Sequence, residues 1–174
     1  MRAAAAQTMR PDEAVYHFSG LVSVGAPLLA IFLRAFLPMH FHVFAYIELP
    51  LLVTIYFAMA RRNPVAGLMM GAAIGLMQDS MTTLPIGTSG IANTLVGYGA
   101  SSLSVKIDTE NPGSRALVTF GFYLVYQFVY MAVARGLVQI DRQWQWNREL
   151  LVGLANGVIA VALFAFLDRF RQKA

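Results

Sequence analysis

The chain has 174 residues, of which 57% are hydrophobic and only 13% charged, with a formal net charge of +4. Water-soluble domains carry about a quarter charged residues, so this balance excludes an ordinary soluble domain and points to lipid. The basic residues lie between apolar runs, where they read as membrane topology signals rather than as a nucleic-acid surface, and the absence of cysteine excludes a disulfide scaffold, thiolate metal sites and thiol catalysis.

The length allows six spans of about 20 residues with short connections. The expectation is therefore an all-α integral membrane protein, a single domain over 1–174, with spans at 18–37, 43–60, 64–81, 88–105, 116–138 and 150–167. Met1 to His17 is too charged for the apolar core of a cleavable signal peptide. The first apolar run carries Arg34 near its far end and is closed by Pro38, and His40 and His42 follow in a short connection. Glu48 and Pro50 sit early in the second run, which ends at Arg61-Arg62. The third starts at Pro64, a good first-turn residue, and turns polar at Gln78, Asp79 and Ser80. The fourth ends in a loop with the turn signal Asn111-Pro112-Gly113. The fifth is rich in Tyr and Phe and has Arg135 near its end. A loop with Asp141, Arg142, Trp144, Trp146, Arg148 and Glu149 follows, its tryptophans suited to an interfacial belt. The sixth run carries Gly153, Asn156 and Gly157 as a small, polar face and ends in a basic tail suited to anionic membrane lipids.

An even number of spans puts both termini on one side, together with Arg61, Arg62, Lys106 and Arg115, against only Arg142 and Arg148 opposite, with Arg135 at the border. Both termini are therefore expected in the cytoplasm. A helix from Pro64 to Asp79 rises about 22 Å of a core roughly 30 Å thick, which carries Asp79 into the outer half with Arg34, Glu48 and Arg135.

The most informative stretch runs from Gly67 to Tyr98. Gly67, Gly71 and Gly75 recur every fourth residue and Asp79 continues the series, while Gly90, Asn93, Thr94, Gly97, Ser101 and Ser104 mark one face of the next helix. Between them lies a Pro85-Ile86-Gly87 turn. Such faces join helices in lipid, where small residues let backbones approach and polar side chains bond across. Asp79 needs a partner or water there, and Arg34, Arg135 or the hydroxyls and amides of Thr88, Ser89 and Asn93 are the candidates. Candidate structural, partner or pocket residues are thus Gly71, Gly75, Asp79, Pro85, Gly87, Asn93, Gly97, Arg34 and Arg135. Asp79 stands alone among the aspartates inside a span and no histidine lies in a core segment, which argues against intramembrane catalysis; no catalytic residue, cofactor or metal is assigned. His40 and His42 have a spacing that could share a metal, but no further ligand cluster completes a site.

The order Gly71-x-x-x-Gly75-Leu76-Met77-Gln78-Asp79, Leu84-Pro85-Ile86-Gly87 and Asn93-x-x-x-Gly97-Tyr98, in a chain of this size with six apolar runs, resembles the rod shape-determining protein MreD family. The resemblance implies a non-enzymatic inner-membrane scaffold of the bacterial elongasome, controlling cell shape through lateral peptidoglycan synthesis. It implies MreC as the nearest partner, with RodA, a class B penicillin-binding protein and MreB in the wider complex. It also implies a fold similar to the substrate-binding subunits of energy-coupling-factor transporters, and hence an alternative function as a small-molecule-binding subunit. Thr82-Thr83 before the turn and the Trp-rich loop depart from the family pattern. The lining of the outer-half cavity separates the two readings, because a binder needs convergent polar groups around about 300 Å³ or more.

Overall fold

A computed structural model describes residues 16–17, 19–82, 85–105, 107, 111–136, 139, 145–170 and 172–173. Apart from one two-residue β-pair, the described regular structure is helical: α1 Gly20–His40, α2 Leu49–Arg61, α3 Pro64–Ser80, α4 Thr88–Leu103, α5 Pro112–Gly136 and α6 Trp146–Leu167. The β-pair joins β1, Tyr16–His17, antiparallel to β2, Gln172–Lys173, so the segments before α1 and after α6 meet at one end of the bundle. We call that the terminal end; α1, α3 and α5 run away from it and α2, α4 and α6 return.

The helix at the centre is also the shortest. α2 has 13 residues, and every one from Pro50 to Met59 is buried. The sequence LPLLVTIYFAMAR has no polar stripe, and a helix apolar on all sides belongs inside. Leu51, Leu52, Ile55 and Phe57 pack with Ala92, Val96 and Ala100 of α4, Tyr123 and Tyr126 of α5, and Ala160 and Phe164 of α6. The outside is apolar as well: Leu21, Val24 and Phe32 on α1, Leu117 and Phe128 on α5, and Leu151 and Val158 on α6 are all exposed. Such extended apolar exposure suits lipid. By length and composition three described segments are long and apolar enough to cross a membrane, Gly20–His40, Pro112–Gly136 and Trp146–Phe170.

Several expected boundaries shift, each for a local reason. Pro38 does not close α1, because the last turn forms around it, with the Phe41 N–H donating to Leu37 O at 2.9 Å. The second helix starts at Leu49 rather than 43, since Pro50 fits the first turn and the preceding His42–Tyr46 form a 3-10 turn. Asn111-Pro112-Gly113 opens α5 instead of marking a loop: the Asn111 side chain accepts the Gly113 N–H at 2.8 Å, with Pro112 in the first turn. Trp146, Arg148 and Glu149 lie on α6, which begins four residues earlier than the expected span. Leu84, Lys106, Asp108, Glu110, Asp141, Arg142, Trp144 and the basic residues Arg2, Arg10 and Arg171 lie outside the described residues.

At the terminal end, Asp168 ties three helices together. It accepts from Tyr56 of α2 at 3.0 Å and pairs with Arg115 of α5 at 2.7 Å. The sequence pattern had assigned Arg115 only a topology role; starting α5 at Pro112 turns it inward instead, where it is buried.

Candidate functional site

The most extensive contact between described elements is that of α3 with α4. Its cause is the glycine series: a Cβ on Gly71 would collide with the Asn93 carbonyl oxygen, and one on Gly75 would lie 2.7 Å from both Gly90 Cα and Ser89 O. A Cβ on Gly97 would meet the Gly67 carbonyl oxygen. The two backbones touch, which only residues without side chains permit.

Asp79 finishes this seam. Its Oδ1 accepts the Ser89 N–H at 2.9 Å, and its Oδ2 accepts those of Gly87 at 2.8 Å and Gly90 at 3.0 Å. These are the free N–H groups at the start of α4, where the N-cap position is Gly87, which has no side chain to cap with. Asp79 therefore acts as an N-cap supplied by a neighbouring helix, and its charge sits at the positive end of the α4 dipole. Gly87 has φ +109°, a left-handed conformation that allows the chain to turn from Pro85 into α4 under the carboxylate. The expected partners of Asp79 need correction: neither Arg34 nor Arg135, nor the side chains of Thr88, Ser89 and Asn93, but backbone N–H groups. Asn93 instead donates to Gln78 Oε1 at 3.4 Å, and its Oδ1 is buried without a partner.

Arg34 belongs to Glu48. Its Nη2 donates to Oε1 at 2.8 Å and its Nε to Oε2 at 3.2 Å, a two-pronged geometry that fixes the 3-10 connection to α1. The Glu48 N–H donates to Asn156 Oδ1, and Asn156 Nδ2 donates to Tyr46 O and Val152 O, each at 2.9 Å. So the small, polar face of α6 holds the α1–α2 connection. Arg135, at the end of α5, is exposed and lines an apolar cleft with Phe128, Met131 and Trp146, apart from the other candidates.

Beside this arrangement, away from the terminal end, lies a cavity of about 220 Å³ to which every helix or its connection contributes. Arg34, Glu48, Gln78, Ser89, Tyr126, Arg148 and Glu149 are among its walls. Glu149 is 5% exposed, and its Oε2 accepts from Tyr123 Oη at 3.0 Å and from Gln127 Nε2 at 2.7 Å. The Arg148 guanidinium lies over the Tyr46 ring, 5.1 Å from its centre. Among the described residues no group of three or more His, Asp or Glu side chains could hold a metal.

A family model, rod shape-determining protein MreD, matches residues 16–174. The chain belongs to the MreD family. Comparison with curated proteins and with solved structures gives no match, so the expected likeness to energy-coupling-factor subunits has no support from them. Membership of the MreD family carries a role in rod shape determination and a membrane location, and MreD is not a known enzyme family.

Within this MreD-family chain, the structure gathers Gly71, Gly75, Asp79, Pro85, Gly87, Asn93 and Gly97 into one seam and turn, places Arg34 on the cavity wall and leaves Arg135 outside both. Pattern reading missed the inward roles of Tyr123, Gln127 and Glu149. A helix start at Trp146 would have exposed the last, because Glu149 is then a first-turn acid on the face shared with Gly153 and Asn156.

Proposed function

We propose that the chain is a non-enzymatic scaffold of the machinery that elongates rod-shaped cells, acting in lateral peptidoglycan synthesis in the inner membrane. MreC is the direct partner in this reading, with RodA, a class B penicillin-binding protein and MreB further out. The observation that carries it, beside the family match, is the use made of Asp79. The one aspartate predicted inside a span has its oxygens committed to three N–H groups of α4, so it holds a shape rather than serving chemistry. Eight of the nine candidate residues are then positions that build the α3–α4 seam and the wall next to it, and Arg135 stands apart.

The topology we propose has six crossings with both termini cytoplasmic. Support comes from the pairing of residues 16–17 with 172–173 and from the charge asymmetry of the loops. α2, α3 and α4, with 13, 17 and 16 residues, are shorter than a full span, but the longer helices flank them, and backbone buried in protein is tolerated at membrane depth. Cysteine at Asn63 should resist an impermeant thiol reagent in intact cells, and cysteine at Gln145 should react. The reverse pattern would invert the topology.

A second reading, a small-molecule-binding subunit of an energy-coupling-factor-type transporter, draws on the polar cavity. The 220 Å³ volume lies below the range of about 300 Å³ and above that pockets for drug-sized ligands occupy, which favours the scaffold over a transporter's substrate site and leaves room only for a smaller group. Two experiments separate the readings. Depletion in a rod-shaped host should give round or swollen cells, and purification in mild detergent should bring down MreC or wall enzymes. Normal rods, or an ATPase module in place of those proteins, would reject the scaffold.

A further inference from the structure

The scaffold reading leaves two charges in the cavity unexplained. Of the four charged residues on its walls, Arg34 and Glu48 neutralise each other at 2.8 Å. Glu149 is nine-tenths buried, yet its hydrogen-bond donors, Tyr123 and Gln127, are both neutral. Among the described residues no cation contacts this carboxylate; besides the two donors only the start of α6 favours an anion there, and a buried carboxylate without a cationic partner is costly. Arg148 follows on the rim: its side chain is exposed and its partner is the Tyr46 ring rather than a carboxylate. Adjacent positions on a helix do not face one another, so Arg148 and Glu149 do not satisfy each other although both border the same cavity.

That pattern, an anion inside and a cation at the rim, is the complement of a zwitterion that enters ammonium first. The walls around Glu149 strengthen the case, because Tyr123, Tyr126 and Tyr130 border the cavity and aromatic rings attract organic cations. A divalent metal is the poorer match, since it needs several oxygen ligands and the described residues offer no such cluster. A primary ammonium can donate to the carboxylate, as a quaternary one cannot. The cavity's position supplies the anion. It opens where α1 and α3 end and α6 begins, among exposed Tyr46, Met81, Thr82 and Arg148, at the depth where an apolar bundle meets headgroups. Phosphate is the anion found there, and arginine suits it.

We propose that this cavity binds a phosphoethanolamine group, as the headgroup of phosphatidylethanolamine or as the free zwitterion, with its ammonium on Glu149 and its phosphate on Arg148. The volume of about 220 Å³ accommodates a headgroup and leaves the acyl chains outside. The site does not depend on the scaffold reading, because it rests on charge and shape at one end of the fold.

The test uses the full chain in detergent, titrated with phosphatidylethanolamine, phosphatidylcholine and phosphatidylglycerol of identical acyl chains and read by native mass spectrometry. Phosphatidylethanolamine should be retained about tenfold more tightly than either of the others, as the loss of one charge-assisted contact predicts. Glu149→Gln should abolish that preference. Arg148→Ala removes an exposed side chain and leaves the fold intact; it should weaken soluble phosphoethanolamine about tenfold by calorimetry while leaving bare ethanolamine unchanged. If soluble phosphoethanolamine binds with both dependences and the lipid shows no preference, the free zwitterion is the ligand. Equal retention of the three lipids together with no binding of phosphoethanolamine would overturn the proposal. So would binding of either form that is indifferent to both substitutions.

Discussion

Asp79 and Glu149 are carboxylates buried to similar depth at the same end of one bundle, and they are treated in opposite ways. Asp79, 1% exposed, faces three backbone N–H groups at the positive end of a helix. Glu149, 5% exposed, faces a phenol, an amide and an open cavity. The first arrangement uses groups the fold must satisfy in any case, because the start of α4 needs acceptors. The second has the start of α6 and two neutral donors, but no cation in contact among the described residues. The contrast separates a structural acid from a receptive one without reference to sequence pattern, and substitutions can break or sharpen it.

The largest effect should come from the seam that positions Asp79. Gly71→Leu drives a branched side chain into the Asn93 carbonyl, backbone that cannot retreat without separating α3 from α4. We expect a loss of about 3 kcal/mol or more, the upper end for overpacking, seen as aggregation or a lowered Tm in detergent. A variant that melts like the parent would show that the helices do not touch as described.

Asp79→Asn should come next. The amide keeps the shape but turns an NH2 toward N–H donors, so at least one N–H group at the start of α4 loses its acceptor and the dipole loses its anion. A cost of roughly 2–3 kcal/mol is expected by thermal or denaturant unfolding. Glu149→Gln is the sharpening comparison. Its amide oxygen can still accept from Tyr123 and Gln127 while the charge that no cation contacts disappears, so stability should stay within about 1 kcal/mol of the parent or rise. Equal destabilisation by the two amides would erase the distinction between the acids.

The same contrast explains what could be read from the residues alone. The seam was legible because glycine every fourth residue has one simple geometric meaning, and the run from Gly67 to Asp79 carries it without interruption. The partners of Asp79 were not, because backbone N–H groups leave no trace in residue identities and the arginines nearby looked like better answers. Of the two carboxylates within reach of Arg34 in the sequence reading, Asp79 and Glu48, it is Glu48 that holds it, a pairing set by the 3-10 turn that shortened α2. An outer-half cavity was expected, but its lining was hidden for another reason. Its key acid lies in what reads as a loop, and only the start of α6 at Trp146 turns Glu149 inward.

The smallest effect tests whether position or residue type makes the seam. Gly121 lies on the exposed face of α5, and a Cβ added there would meet nothing within 4 Å. Glycine inside a helix is less favourable than alanine through backbone entropy alone, so Gly121→Ala should stabilise the protein slightly, by about 0.5 kcal/mol. Gly71→Ala adds the same single carbon where the Asn93 carbonyl already stands, and should cost about 1–3 kcal/mol instead. Opposite signs from one methyl group would locate the effect in the α3–α4 approach. Matching losses at both positions would mean that this chain is intolerant of any added bulk, and Gly71 would lose its claim to a special place beneath Asp79.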